Sequence, residues 1–310
     1  MTQPDSAFSM NGVTPLHGLG VIKIAGDEAA KFIHGQLTQD FVLLGLDGAR
    51  LSAFCSAKGR MQASFIGFKR PNGDVLLVGS ADLVPSTAKR LAMFVMRAKA
   101  QVSDASAEFV LWGLTGTATQ TIAAPALSIW SKGDFGDASV VNLYPALGNE
   151  RQLWLAPSGS AAPLGEALDA RLWAWSEVHS GVATLSGPVV DAFVPQMLNY
   201  ESVGGVSFKK GCYPGQEVVA RSQFRGTLKR RAYLVHSIDS LGTGDLIYAP
   251  DDTQQPVATV VQAAAAPGGG FDAIMSGQNQ ALQGGEIRLG GGTGTPLVLI
   301  PLPYALLDDI

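Results

Sequence analysis

The sequence is short of cysteine, histidine and charge, and it has no long apolar run. Two cysteines among 310 residues, Cys55 and Cys212, are too few for a disulfide framework, and neither has a partner at CxxC spacing. The four histidines, His17, His34, His179 and His236, form no HxxxH or HExxH pattern, so no metal site is expected. Charged residues make up 15% and hydrophobic ones 46%, the balance of a compact globular chain and not of a disordered one. No apolar run approaches the roughly 18 residues of a membrane span. The best, Val257 to Ala266, is short and broken by Thr259 and Gln262. The opening MTQPDSAFSM lacks the basic flank and apolar block of a secretory signal, which makes the cytoplasm the expected compartment. GGGTGTP (Gly290 to Pro296) has no Walker lysine and reads as a hairpin turn, and no nucleophile elbow is present.

The length that remains asks for two or three domains. GVIKIAG (Gly20 to Gly26) alternates as a strand. A helix follows, with Asp27 as expected N-cap, Glu28 at the positive end of its dipole, and Ala30, Phe32, Ile33 and Leu37 for its buried stripe. FVLWGLTGTATQTIAA (Phe109 to Ala124) echoes this strand, glycine and helix order, which predicts two related α+β subdomains. VLLVG (Val75 to Gly79) reads as a strand, Asp82 to Lys99 as a helix interrupted near Pro85, and Leu164 to Val178 as another helix. On it Trp173 and Trp175 face different directions, one free to line a cavity while the other packs. Asp191 and Glu201 read as a turn and a surface residue. After Arg231 six short runs, AYLVHSI, GDLIY, PVATVVQA, FDAIM, GEIRL and PLVLIPL, separated by glycine-rich or acidic turns, predict an antiparallel barrel. The expected boundaries are 1–105, 106–231 and 232–310.

Charge is concentrated in one place. Between Phe208 and Arg231 seven bases face one acid, a local balance of +6 in a chain of net charge −4, so the remainder carries −10. Such a stretch points to an anionic partner: carboxylates, phosphates or RNA. Within it, SFKKGCYPGQEVVAR places Pro214 and Gly215 just before a helical pattern. Cys212 then lies near free helix-end N–H groups and beside Lys209 and Lys210, surroundings that favour a reactive thiolate. Glu217 and Arg221 have the i,i+4 spacing of a helical ion pair.

The run GGVSFKKGCYPGQEVVARSQFRG (Gly204 to Gly226) closely resembles the signature of YgfZ-type folate-binding proteins, relatives of the glycine-cleavage T-protein. KFIHGQLTQD (Lys31 to Asp40), FCSAKGRMQASF (Phe54 to Phe65) and the C-terminal IPLPYAL are similar too, in the same order. The resemblance implies a ring of two α+β subdomains and a β-barrel around a cavity for tetrahydrofolate or a one-carbon derivative. It also implies support of iron–sulfur client enzymes, including tRNA-modifying ones, without a defined turnover. By the same resemblance the folate-binding residues are Trp173, Lys209, Lys210, Gly211, Tyr213, Gly215, Gln216, Glu217, Arg221 and Arg225, whose cations would receive glutamyl carboxylates, and Cys212 is the functional thiol.

Three departures from the family pattern bear on mechanism. Leu19 stands where bacterial members of the family carry a tryptophan near the folate. The T-protein's hairpin carboxylate has no counterpart in KGRMQASF, where Gln62 and Ala63 stand, and His179 in VHSG replaces its helix-end glutamate. Aminomethyl or other one-carbon transfer is therefore the runner-up to an accessory role. RNA binding is third, because only Tyr213 and Phe224 interleave the basic stretch with rings.

Overall fold

The computed structural model describes residues 9–120, 128–224, 228–250 and 254–307. Two five-stranded antiparallel sheets and a closed six-stranded barrel make up the molecule. The first sheet runs Ala49–Cys55, Met61–Lys69, Val75–Ser80, Leu19–Ala25 and Gln101–Asp104 in spatial order. The second runs Gly12–Pro15, Phe109–Thr115, Arg151–Pro157, Ala138–Asn142 and Lys132–Phe135, so the first strand of the chain belongs to the second sheet. The helices are α1 (Ala29–His34), α2 (Val84–Ala92), α3 (Ala170–His179), α4 (Gln216–Phe224) and α5 (Asn279–Gly284).

Strand alternation explains how the layers stack. Successive side chains leave a strand on opposite faces, and both faces of the first sheet are apolar. Ile22, Ile24, Val75 and Leu77 pack with Phe32 and Ile33 of α1 and with Val84 and Leu91 of α2. Val21, Leu76, Val78 and Phe68 pack the other way, against Leu111, Leu153 and Leu155 of the second sheet and Trp173 of α3. The first sheet is thus a filling between two cores, and its seam with the second sheet is where a cleft forms.

The six runs expected to form a barrel all do so: Arg230–Ser237, Leu246–Tyr248, Ala258–Ala265, Phe271–Gln278, Ile287–Leu289 and Pro296–Ile300, the first strand closing on the last. Helix expectations need correction. Asp27 does not cap α1; Glu28 stands at that position, and its carboxylate turns away to accept from the Lys99 N–H and from Lys31. Pro85 does not interrupt α2 but sits in its first turn, where a missing N–H costs nothing. Residues 164–169 are not helical, because their backbone pairs with Val13 through Glu166 and Leu168; α3 starts after Asp169, which accepts from the Arg171 N–H at 2.8 Å. Beyond Gly116 there is one 3₁₀ turn, Gly116–Thr119, and the expected helix past it falls outside the described residues.

Candidate functional site

A cleft opens at the seam of the two sheets and α3. Its inner end holds about 50 Å³, room for about three or four waters. Its wider mouth holds about 360 Å³ and shares Leu16, Leu19, Trp173, Glu177 and Thr184 with that end. Leu51, Phe65, Val78, Leu143 and Leu153 make the walls apolar. Trp130 and Tyr144 add two rings, 5.9 Å apart, with Trp130 held by its N–H to Val203 O at 2.9 Å.

Two opposite charges interrupt these walls. Trp173 and Glu177 lie four apart on α3 and so share a face, and Arg151 reaches them from its strand. The Arg151 guanidinium lies 4.4 Å from the Trp173 ring and 3.8 Å from Glu177 Oε1. Burial lowers its pKa to about 10, against the pull of Glu177. Glu177 keeps 28% of its side chain accessible, but that surface faces the cleft, and burial raises its carboxyl despite Arg151. Trp173 Nε1 is near enough to favour the Glu177 carboxylate yet outside hydrogen-bond geometry, and Arg151 Nε has no acceptor among the described residues. Buried donors left in this way suit a polar ligand.

The cysteine motif lies elsewhere. None of the described residues from Lys209 to Phe224 lines the cleft; the motif packs against α1 and the 55–61 hairpin. Lys210 is turned inward, a correction to its expected role as a receiver of ligand carboxylates. Its Nζ donates to His34 O and, at 2.7 Å, to Leu37 O, and stands 4.6 Å from the Tyr213 ring. Burial lowers its pKa to about 8. Gly215 meets Gly59 backbone to backbone at φ +79° and +70°, and a Cβ on Gly215 would stand 2.4 Å from Ser56 O. Tyr213 is buried, whereas Lys209, Gly211, Cys212 and Glu217 are exposed and Gln216 is half-buried. Arg221 and Glu217 form the expected pair at 2.9 Å on the surface. Arg225 lies outside the described residues. Beside the motif, His34 Nδ1 and Asp40 Oδ1 are 3.1 Å apart, a pairing that their separate places in the sequence do not announce.

Other residues also change standing. Glu201 is buried and not a surface residue, because Arg231 Nη1 donates to its Oε1 at 2.6 Å. Ala63 is buried in the core and Gln62 donates to Asp191, so the 61–69 strand sends neither to the cleft; Glu177 and Arg151, which sequence reasoning missed, supply its charges. The i,i+4 spacing of Glu177 from Trp173 was the available signal. Among the described residues no three His, Cys, Asp or Glu side chains are arranged to hold a metal, and no helix is long and apolar enough to cross a membrane.

The fold is that of the aminomethyltransferase T architecture. The chain superimposes on the glycine cleavage system aminomethyltransferase T of Bartonella henselae with a TM-score of 0.70, covering 94% of this chain and 86% of that one at 14% identity. No protein-family model matches the chain. It is 30% identical over 307 residues to the tRNA-modifying protein YgfZ of Edwardsiella ictaluri, covering 92% of this chain and 89% of that one. To YgfZ of Yersinia enterocolitica it is 26% identical, covering 93% and 91%. The chain belongs to the YgfZ family.

Proposed function

We propose that the protein binds a reduced folate in the cleft and acts, without turnover of its own, as an accessory factor for iron–sulfur enzymes, among them tRNA-modifying ones. The observation that carries this reading is the Glu177–Arg151 pair at the inner end of a cleft whose mouth, lined by Trp173 and Glu177, is of ligand size. A pterin has flat apolar faces and a row of N–H donors along one edge. Leu16 and Leu19, which line both the mouth and the inner end, suit the faces, and the Glu177 carboxylate suits the edge. Trp130 supplies a ring on the wall where Leu19 has none. Bound folate would supply a carrier for one-carbon units. The chain's part is to orient it and exclude water.

The relatives' names, which describe tRNA-modifying proteins, support the cellular half of the reading. A second reading, one-carbon transfer, draws on Glu177 itself, a carboxyl raised by burial and able to hold a proton in the cleft.

Calorimetry with tetrahydrofolate tests the first. Binding is expected, and Glu177→Gln should weaken it about tenfold or more, since hydrogen bonds to a charged group contribute about 1.5–3 kcal/mol. No heat with the wild type, or equal affinity in the variant, overturns the folate site. Turnover of an aminomethylated lipoyl carrier would replace the accessory role by the transferase.

A further inference from the structure

A second and larger groove, about 990 Å³, runs between α4 and the barrel, and none of its lining residues belongs to the cleft. We propose that this groove binds the phosphodiester backbone of RNA. Its cations are the argument. Lys229 and Arg230 line it, and among the described residues neither forms an ion pair with a carboxylate, although Arg221, Arg231 and Arg288 all do. Arg230 is half-buried, and its guanidinium donates to Val257 O at 3.3 Å. Arg60, also without a carboxylate partner among those residues, is close enough that its charge adds to burial in lowering Arg230. Cations held together in this way, partly out of water, gain most from a polyanion.

Neutral hydrogen-bonding groups share the groove with the cations. Gln280 and Gln283 on α5 line it too, amides that both donate and accept. Phosphodiester oxygens would accept from the cations and from the amide N–H groups, and a ribose 2′-hydroxyl can serve both sides of an amide. No aromatic ring lines the groove, so bases have nothing to stack on and the contact is to phosphate and sugar. Folded or duplex RNA, whose backbone is presented without its bases, fits that lining.

The test is anisotropy of an unmodified tRNA transcript titrated with the full-length protein across a salt series. Affinity should fall as salt rises. In the double variant Lys229→Gln/Arg230→Gln the slope of log K against log salt should shrink by about 2, near one unit for each lost phosphate contact. Arg230 is half-buried, so a second variant, Gln280→Glu/Gln283→Glu, changes only exposed side chains; it should weaken binding with the melting temperature unchanged. Lys89→Gln/Arg90→Gln on α2, a distant basic pair, should bind as the wild type does. Unaltered affinity and slope in both groove variants overturns the proposal, as does a polyglutamate peptide that binds as tightly as the transcript. Tetrahydrofolate calorimetry on the same samples reads the cleft separately, so either site can fail alone.

Discussion

Cys55 and Cys212 are the same chemical group in two surroundings. Cys55 ends a core strand, and burial, with the Asp191 charge adding to it, pushes its thiol up to about 12; Cys212 stands exposed in the motif loop. Only a thiolate attacks an alkylating reagent. Brief treatment with iodoacetamide at neutral pH, followed by mass mapping, should therefore label Cys212 and leave Cys55 untouched, and labelling of Cys55 first would show that the hairpin is open. Whether the exposed thiol is needed is a separate matter, answered by complementing a knockout with Cys212→Ala and assaying iron–sulfur enzymes. Gly215 is decided by space. Its φ of +79° disfavours any side chain, and a Cβ there would collide with the Ser56 carbonyl and the Gly59 backbone. Gly215→Ala should cost about 1–3 kcal/mol in urea melts, by the combined backbone and overpacking penalty. A melt that matches the wild type would mean that the motif does not seat on the hairpin.

At the scale of elements, Lys210 ties the motif to the end of α1, whose last carbonyls need donors. Its pKa is lowered to about 8 by burial, so the folded protein holds that proton less firmly than the unfolded chain, where lysine titrates near 10.4. Between those values the unfolded state binds the extra proton, and stability must rise with pH. The difference in stability between wild type and Lys210→Met should accordingly grow from pH 8 to about pH 10; a difference that shrinks would remove the assigned burial. This element also shows what the sequence makes legible. The motif is contiguous and the barrel strands are short alternating runs, so both can be read locally. The start of α3 could not, because Glu166 and Leu168 are hydrogen-bonded to Val13, about 150 residues away in the chain and adjacent in space. The cleft was half visible for the same reason. Trp173 stood out as an aromatic on a helix, whereas Arg151 comes from a separate strand and acquires its meaning only from the fold.

Across the whole molecule, α3 is joined to the barrel through one carboxylate. Asp272, buried on strand Phe271–Gln278, accepts from Trp175 Nε1 at 2.6 Å and lies 2.7 Å from both His179 Nε2 and His236 Nδ1. Histidines that form no pattern in the sequence meet here because each is tied to the same acid. Burial alone would raise that carboxyl, but the hydrogen bonds from His179, Trp175 and His236 outweigh it and the pKa is lowered. A carboxyl lowered by folding stabilises the native state above its unfolded value, near 3.9, and loses that contribution as pH falls through the folded value. Asp272→Asn keeps the shape but turns an amide donor toward donors, leaving buried groups unpaired at a cost of about 2 kcal/mol. Urea melts at pH 7 should show that loss, and the two proteins should converge as pH falls below about 3.9 and through the lowered folded value, where the wild-type carboxyl also gains its proton. Trp175 reports the same event by fluorescence, since its indole N–H loses a charged acceptor. A stability difference that stays constant over this range would mean that the carboxylate charge does not hold α3 to the barrel and that packing of α3 on strand Ala258–Ala265 does so alone.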